Sequence, residues 1–519
     1  MCLWIIYFRG NKMKTVFEYL INRPLLLSGL ACSLLSVVAF YLHITVFITA
    51  LILAVLMGFM IYRRSDARII FSCVLILVFC ISCINEIVHI KALEKHSGAT
   101  HKAEMILYDI THKTDTYYIA RARVKRSDRL PDGTMLTVFY KPQSIKVGDS
   151  FTAEIKLRKI TKNEYKADSY SNGVYLQGNL TDIKSTENNN WLLQKADEVR
   201  SYIKTTLMQH MDYREAATMS ALIFGERDYF TNDFYDGVRK AGVSHVMVVS
   251  GMHLAIIISF AVKLMEKIFY NRFVRAAVMV ALVGFLSLLC GFTMSILRAG
   301  ITYIIMATGI VIDRKGTAEN SLGGALSIIL ICSEFAIFNI SLQLSLLSTF
   351  GILVVALPII DKAERRFRLN FITRYLLTSC TFSLSAYVMT LPVTIYNFGC
   401  ISTVSIISNL LISSAVTYAL YLAFAGLIFN LILPFLADFI FALADVLTKY
   451  INYIIVYMGN LSFAVVDVPE CFGYIVLAGI FFIMMLLVAC KKRSNMLKLK
   501  LMKEKIEKEG GKVLNGANN

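Results

Sequence analysis

Two histidines and two serines lie in a segment that is apolar enough to enter a lipid bilayer. The segment covers residues 240–253 and carries Ser244, His245, Ser250 and His253 among valine, methionine and glycine. Polar groups inside a bilayer are costly unless they face a partner or a water-filled cavity. On a helix, Ser250 and His253 would share a face, and His245 would lie about two turns away. The pattern therefore predicts a polar stripe that lines an internal site or path.

An arginine at position 298 is the second costly feature, because the residues on both sides of it are apolar. Its charge would cost about 2.5–3.5 kcal/mol at mid-membrane. A place near a helix end, from which the side chain reaches the interface, is the alternative for Arg298. Gln343, Ser345 and Asn409 are further polar positions in apolar runs, where interhelical hydrogen bonding is the simpler explanation.

The same residues leave two other classes of function open. In an intramembrane serine hydrolase, Ser250 would be the nucleophile and His253 or His245 its base. That chemistry needs an oxyanion hole, and Ser250 lacks the flanking Gly-x-Ser-x-Gly elbow. Residues three apart on one helix also rarely align for proton transfer. A secondary transporter or lipid-handling permease would be favoured by paired inverted repeats with broken helices, and none is detected in the sequence.

Membrane helices must position these residues. The chain has 519 residues, of which 56% are hydrophobic and 17% charged, and its mean hydropathy is +0.61. These values are typical of a polytopic membrane protein and not of a soluble one. Apolar runs long enough to span hydrocarbon as helix occur near 25–42, 44–62, 69–89, 243–262, 276–292, 295–312, 318–340, 341–361, 375–396, 403–430, 434–459 and 472–490. The run at 375–396 contains Pro392 and could re-enter the membrane instead of crossing it.

Basic residues predict the orientation of these runs. They precede the first run, separate the second from the third at Arg63, Arg64 and Arg68, and open the tail at Lys491. By the positive-inside rule, both termini lie in the cytoplasm and the residues after position 90 lie outside. The formal charge of +17 is then in large part the usual cytoplasmic excess of a membrane protein. Membrane lipids are expected around the helices.

Residues 91–190 alternate between apolar and polar at period two, which is typical of β-strands. One face of a strand at 117–125 would carry Arg121, Arg123 and Lys125. A strand at 151–158 would place Lys156 and Arg158 on its polar face. Turn signals at 131–133 and 147–149 separate the strands. The pattern predicts a small all-β barrel of the oligonucleotide-binding type. Its basic residues either contact phosphates or form an ordinary solvated face.

The chain thus divides into five predicted parts. They are N-terminal transmembrane helices (1–90), an extracytoplasmic β-barrel domain (91–190), amphipathic interfacial helices (191–242), a polytopic transmembrane domain (243–490) and a basic cytoplasmic tail (491–519). In the third part, Thr231 or Asn232 can cap a short helix that ends at Gly242. This helix would deliver the chain to His245 at a defined depth.

Several motifs follow one another in a fixed order. Residues 221–228 read Ala-Leu-Ile-Phe-Gly-Glu-Arg-Asp, and residues 250–253 read Ser-Gly-Met-His after Ala-Gly-Val-Ser-His at 241–245. Leu-Arg-Ala at 297–299, Gln-Leu-Ser at 343–345, Leu-Pro at 391–392, Phe-Gly at 398–399 and Ser-Asn at 408–409 come later. This series resembles the competence domain of the ComEC family of bacterial DNA-internalisation proteins. The exported region with Val-Gly-Asp at 147–149 resembles that family's oligonucleotide-binding-type domain more weakly.

The resemblance implies a channel of the bacterial cytoplasmic membrane that carries single-stranded DNA inward during natural transformation. The matching positions would line or serve the path: Gly225, Asp228, Ser244, His245, Ser250, Gly251, His253, Arg298, Gln343, Ser345 and Asn409. The barrel would contact DNA through Arg121, Arg123, Lys125, Lys156 and Arg158. A separate nuclease, a DNA receptor and a cytoplasmic motor are the implied protein partners, and an oligomer is possible.

The chain departs from the family pattern in two places. Many members continue into a metallo-β-lactamase-like domain, whereas this chain ends soon after its last apolar run, and no His-x-His-x-Asp-His arrangement occurs in it. The segment at 334–338 also lacks the Asn-Pro that usually precedes the Gln-Leu-Ser motif. We therefore expect no nuclease or other enzymatic activity, no metal site and no cofactor. The 11 cysteines lie mostly in apolar runs and predict no disulfide framework.

Overall fold

The computed structural model describes residues 23–41, 67–113, 116–141, 145–161, 163–186, 190–225, 230–247, 251, 253–258, 271–311, 317–367, 370–469, 472–473 and 476. Asp228 and Ser250 lie outside these ranges, and so do the run predicted at 44–62 and the tail at 491–519. Most of the run predicted at 472–490 also lies outside them.

Among the described residues, two helices precede the barrel. Helix α1 covers Pro24–Tyr41 and helix α2 covers Ala67–Glu94. Both match apolar runs read from the sequence, and both are long and apolar enough to cross a membrane.

The segment after α2 forms a closed five-stranded barrel. Its strands are β1 (Thr100–Lys113), β2 (Tyr118–Ser127), β3 (Met135–Tyr140), β4 (Ser150–Lys159) and β5 (Val174–Thr186), and helix α3 (Asn163–Ser171) lies between β4 and β5. The order around the barrel is β1-β2-β3-β5-β4. Strands β3 and β5 run parallel, whereas the other neighbours are antiparallel. This arrangement confirms the predicted small barrel of the oligonucleotide-binding type.

The alternation of the strands places their apolar side chains inside the barrel, as predicted. Ala120, Ala122 and Val124 of β2 are buried, and so are Phe151, Ala153, Ile155 and Leu157 of β4. Each large apolar side chain buried there contributes about 1.5–3 kcal/mol to stability. The two turn signals are also confirmed, because Gly133 and Gly148 adopt φ values of 89° and 90°, which other residues rarely adopt.

The barrel rests on the helical part of the protein through α3. The ring of Tyr170 lies 6.0 Å from that of Phe40 at the end of α1 and 5.9 Å from that of Phe335. Asn339 donates to the side chain of Asn172 at 3.5 Å. The barrel therefore lies at the C-terminal ends of α1 and α2. The departure from the family pattern at 334–338 falls within this junction.

Three helices follow the barrel: α4 (Trp191–His210), α5 (Tyr213–Phe224) and α6 (Asn232–Lys240). Ile203 and Leu207 of α4 are buried, whereas Trp191 and Tyr202 are exposed. Arg200 of α4 donates to the carbonyls of Leu288 and Leu289 at 3.1 and 2.6 Å and so satisfies the C-terminal end of the helix Arg272–Leu289.

The later helices with described bounds are α7 (Arg272–Leu289), α8 (Met294–Val311), α9 (Ala318–Cys332), α10 (Ile340–Gly351), α11 (Leu357–Arg366), α12 (Phe371–Phe398), α13 (Ser405–Ile432) and α14 (Pro434–Gly459). Residues 253–258 are helical as well. A π-helical turn at Ile352–Ala356 joins α10 to α11. Strand β6 (Cys400–Ser402) pairs with β7 (Val465–Asp467). Within the described residues, six helical segments are long and apolar enough to cross a membrane, namely α1, α2, α10 with α11, α12, α13 and α14.

The structure bears on two of these runs. Helix α12 continues through Pro392 as one helix of 28 residues, which is long and apolar enough to cross a membrane. The run predicted at 318–340 ends earlier, at Cys332. The reason is local, because Asn339 accepts from the backbone N–H of Leu342 at 3.2 Å and starts a new helix.

Helices α1 and α9 pack closely because glycines meet between them. A β-carbon on Gly323 would lie 2.3 Å from the Cα of Leu26, and one on Gly29 would lie 2.6 Å from the carbonyl oxygen of Gly323. Ser28 and Ser327 hydrogen-bond across the same contact at 2.9 Å. Small residues and buried hydroxyls are the usual means of close helix packing in membranes.

Candidate functional site

The segment that carries His245 is delivered by α6. The Thr231 hydroxyl accepts from the backbone N–H of Phe234 at 3.4 Å, and Arg239 and Lys240 occupy the last turn. Gly242 has a φ of 71°, and the N–H of Val243 donates to the carbonyl of Val238 at 3.2 Å. These caps confirm the start and end predicted for this helix.

Two serines, Ser402 at the end of β6 and Ser405 at the start of α13, hold the turn at Gly242. Ser402 donates to the carbonyl of Lys240 at 2.9 Å, and Ser405 donates to the carbonyl of Gly242 at 3.0 Å. A β-carbon on Gly242 would lie 2.5 Å from the Cβ of Ser405 and 2.6 Å from the Oγ of Ser402. Glycine is therefore required here both by its backbone conformation and by the space available.

His245 joins a chain of polar side chains that crosses two helices. Its imidazole hydrogen-bonds to the Asn409 side chain of α13 and to the backbone of Gly242. Asn409 in turn donates to the Ser383 hydroxyl of α12 at 2.7 Å and accepts from Ser413 at 3.1 Å. His245 itself is exposed, although apolar neighbours Val243 and Val246 are buried. The arrangement links the imidazole to α13 and, through Asn409, to α12.

Arg298 forms the second polar cluster with residues of two neighbouring segments. Its Nη2 donates to the Ser345 hydroxyl of α10 at 2.7 Å, and Ser295 donates to the same hydroxyl at 3.0 Å. A β-carbon on Gly251 would lie 2.5 Å from Nη2, so the guanidinium packs directly against that glycine. Arg298 is 6% exposed, and its buried Nε has no hydrogen-bond partner among the described residues. A buried guanidinium with an unused donor retains the capacity to bind an anion.

His253 belongs to the helical residues 253–258 and is fully buried. The structure brings His245 together with Asn409 in one cluster and Arg298 together with Gly251 and Ser345 in another. His253 and Arg298 are closed to solvent in this conformation.

Other predicted path residues have local structural contacts. Gln343 donates to the carbonyl of Ile337 at 2.8 Å and stabilises the turn before α10. Gly225 ends α5 with a φ of 79°. Ser244 is half-buried in the turn before His245. Asp228 and Ser250 lie outside the described residues.

The predicted DNA-contacting residues of the barrel fall into two groups. Arg121 forms an ion pair with Asp109 at 2.6 Å, and Lys125 forms one with Glu104 at 3.3 Å. Arg123 is exposed and donates to the carbonyl of Gly133 at 3.3 Å. The remaining two, Lys156 and Arg158, are exposed on β4.

Sequence reasoning missed three serines that organise the site: Ser383, Ser402 and Ser405. The Ser-Asn motif at 408–409 marked the right helix, but a serine in an apolar run is too common to be singled out. Elsewhere, the carboxylates of Asp212, Glu215 and Asp445 lie close enough to hold a metal ion. Lys449 already bridges Asp212 and Asp445, with a distance of 2.8 Å to each. An ammonium group of the chain itself therefore already offsets part of the negative charge of this cluster.

The exposed apolar helices, the internal polar clusters and the closed barrel define a polytopic membrane protein with an appended β-domain. The family model for the competence protein family matches residues 222–493, which is just over half of the chain. The chain therefore belongs to the competence protein family.

One relative supports the same assignment. The chain is 20% identical over 332 residues to ComE operon protein 3 of Bacillus subtilis (strain 168), and the match covers 64% of this chain. It spans 42% of the length of that relative. No solved structure matches the chain.

We expect Gly251→Ala to disturb the Arg298 cluster, because the added methyl would displace the guanidinium from Ser345. The free energy of unfolding should fall by about 1–3 kcal/mol, which is the cost of breaking a hydrogen bond to a charged group inside the protein. Thermal unfolding in detergent should be measured for Gly251→Ala, Ser345→Ala and the double variant. The double variant should be less destabilised than the sum of the two. Strict additivity would show that Gly251 does not act through the Arg298–Ser345 contact.

Proposed function

We propose that this chain forms the membrane path through which single-stranded DNA enters the cytoplasm during natural transformation. The observation that carries the proposal is the buried Arg298, which packs on Gly251 and bonds to Ser345 inside a mostly apolar helical domain. A DNA strand carries a charge on every nucleotide and cannot enter hydrocarbon, so helices must enclose a polar path for it. Membership of the competence protein family supports this role.

The proposed path uses few polar groups. Arg298 has no carboxylate partner among the described residues, so its charge is available to a passing phosphate. His245, Asn409 and Ser383 form a separate cluster that supplies further hydrogen-bond donors and acceptors. A dense lining of lysine and arginine would hold the strand, whereas scattered groups permit entry and release. Passage would require α8 and α10 to separate from the segment at Gly251.

The proposed orientation places both termini in the cytoplasm and the barrel outside. The distribution of lysine and arginine supports it, and the barrel lies at the C-terminal ends of α1 and α2. In this arrangement the barrel meets DNA before the helices do. The chain would act as a channel without hydrolytic activity, alongside a separate nuclease, a DNA receptor and a cytoplasmic motor.

The test is DNA uptake in a naturally transformable strain from which the gene has been deleted. Complementation with this chain is expected to restore entry of fluorescently labelled DNA into the cytoplasm, whereas an empty vector restores none. Surface-bound and internalised DNA are separated by nuclease treatment of intact cells. Restoration shows that the path is supplied by this chain.

Two results would contradict the proposal. Complementation without uptake, in cells that insert the protein normally, would exclude an import role. Hydrolysis of an ester or peptide by the purified protein, lost in Ser250→Ala, would instead support the intramembrane hydrolase.

A further inference from the structure

The barrel wall carries a shallow pocket where β3, β5 and β4 lie side by side. It has a volume of about 230 Å³ and is lined by Phe139, Arg158, Gln177, Gly178 and Asn179. This space suits one unit of a polymer, such as a single nucleotide, because sites for drug-sized ligands begin near ~300 Å³. The pocket is not on the basic face of β2 that the sequence emphasises.

The strand register explains why these side chains meet. Phe139 of β3 lies opposite Asn179 of β5, and Asn179 lies opposite Lys156 of β4. Two residues away on the same pair of strands, Gln177 of β5 lies opposite Arg158 of β4. Successive residues of a strand alternate between its faces. The side chains that point outward here are those of Phe139, Lys156, Arg158, Gln177 and Asn179. A half-buried aromatic ring, two amides and two cations therefore share one surface.

The position of Gly178 adds to the shape of the pocket. A β-carbon there would lie 2.5 Å from Cγ1 of Ile155 inside the barrel. The residue therefore packs its backbone tightly on the core, and the amides of Gln177 and Asn179 flank it on the outer side.

The cations of this wall differ from those of β2 in what they contact. Arg121 pairs with Asp109 and Lys125 with Glu104, so each charge is compensated by β1. Burial raises the pKa of Asp168, and the charge of Arg121 opposes that rise, so Arg121 also acts on a second acid. Lys156 and Arg158 are exposed, and the described residues give neither of them an ion pair.

We propose that this pocket is a nucleotide subsite at which the barrel holds single-stranded DNA. A base stacks on Phe139, the amides of Gln177 and Asn179 contact its edge or the sugar, and Lys156 and Arg158 hold the adjacent phosphates. The inference rests on the proposed import function and adds where the strand is held. An aromatic ring with amides also suits a sugar, as in barrels that bind oligosaccharides. Lys156 and Arg158, which form no ion pair with the described residues, favour DNA over an uncharged sugar.

The test measures binding of fluorescein-labelled oligothymidylate to the full chain in nanodiscs of neutral lipid, by fluorescence anisotropy over a series of salt concentrations. Phe139→Leu, which removes the ring and keeps an apolar side chain, is expected to weaken binding about 5- to 150-fold, since stacking on an aromatic residue is worth about 1–3 kcal/mol. Phe139→Tyr, which keeps the ring, should bind as the wild type does.

Charge variants separate the two basic surfaces. The slope of log affinity against log salt should fall by about 1.4 for Lys156→Ala with Arg158→Ala, because each phosphate contact on a single strand contributes about 0.7. Arg121→Ala with Lys125→Ala removes the same charge and should change the slope by less than half as much. Melting temperatures of all variants show whether the barrel remains folded.

Several outcomes would overturn the subsite: no binding of the oligonucleotide by the wild type, equal effects of the two charge pairs, or preferential binding of uncharged chitotetraose at the Phe139 pocket. The import proposal is judged separately. Uptake that depends on the chain but not on Phe139, Lys156 or Arg158 would leave import standing and remove the subsite. Oligonucleotide binding at the pocket without restored uptake would support the subsite and contradict the import proposal.

Discussion

Replacing Arg298 by alanine is expected to reduce DNA uptake about 10- to 150-fold, because it removes the charged donor that the proposed path offers to a phosphate. The estimate follows from about 1.5–3 kcal/mol for a hydrogen bond to a charged group. In the structure the guanidinium donates to Ser345 and packs on Gly251, so the substitution leaves a space in the cluster as well. Internalised labelled DNA in complemented cells is the measurement.

Two control variants define what a loss of uptake means. Arg298→Lys keeps the charge but not the planar fork of donors, so it should recover part of the uptake. Arg366→Ala removes an exposed arginine at the end of α11 and should leave uptake unchanged. DNA bound at the cell surface should be equal in all three strains, since Arg298 is buried away from the barrel. Normal uptake with Arg298→Ala would exclude this residue from the path.

Replacing Gly242 by alanine is expected to destabilise the protein more than any other glycine substitution near the site. The left-handed backbone costs a residue with a β-carbon about 1–2 kcal/mol. Overlap with Ser405 and Ser402, 2.5 and 2.6 Å away, adds about 1–3 kcal/mol of overpacking. The melting temperature of the protein in detergent should fall, and uptake should fall with it because the turn positions His245.

Gly284→Ala is the matched control, because the same methyl group is added to a glycine of α7 that has no atom within 4 Å of the new carbon. Its melting temperature should be unchanged or slightly higher, since alanine favours the helix by about 1 kcal/mol. If Gly242→Ala melts at the temperature of Gly284→Ala, the turn adapts and the attachment to α13 is weaker than its geometry suggests.

The features that the sequence predicted correctly depend on neighbours along the chain. The cap at Thr231 and the stop at Gly242 follow from side chains within a few residues of each helix end. The buried Ala120, Ala122 and Val124 follow from the period of a strand. The family resemblance likewise used short ordered motifs, and the family model confirms it.

The expectations that changed depend on contacts between distant segments or on competing local bonds. Pro392 suggested a break, yet α12 continues through it because helices tolerate proline where neighbours satisfy the freed backbone group. Gln343 stays a predicted path residue, and the structure adds that its amide donates to the carbonyl of Ile337, six residues before it. No pattern in the sequence distinguishes these two uses of a polar side chain.

The sequence by itself determined that this is a multi-pass membrane protein with a β-domain, and it identified His245, His253 and Arg298 as polar residues in apolar surroundings. These properties follow from the local composition of the chain and from the spacing of its apolar residues. Only the tertiary structure decided that Arg298 packs on Gly251 and bonds to Ser345, and that β1 compensates Arg121 and Lys125 while Lys156 and Arg158 stay exposed. Helix packing and strand register set these pairings, because each partner lies on a different element.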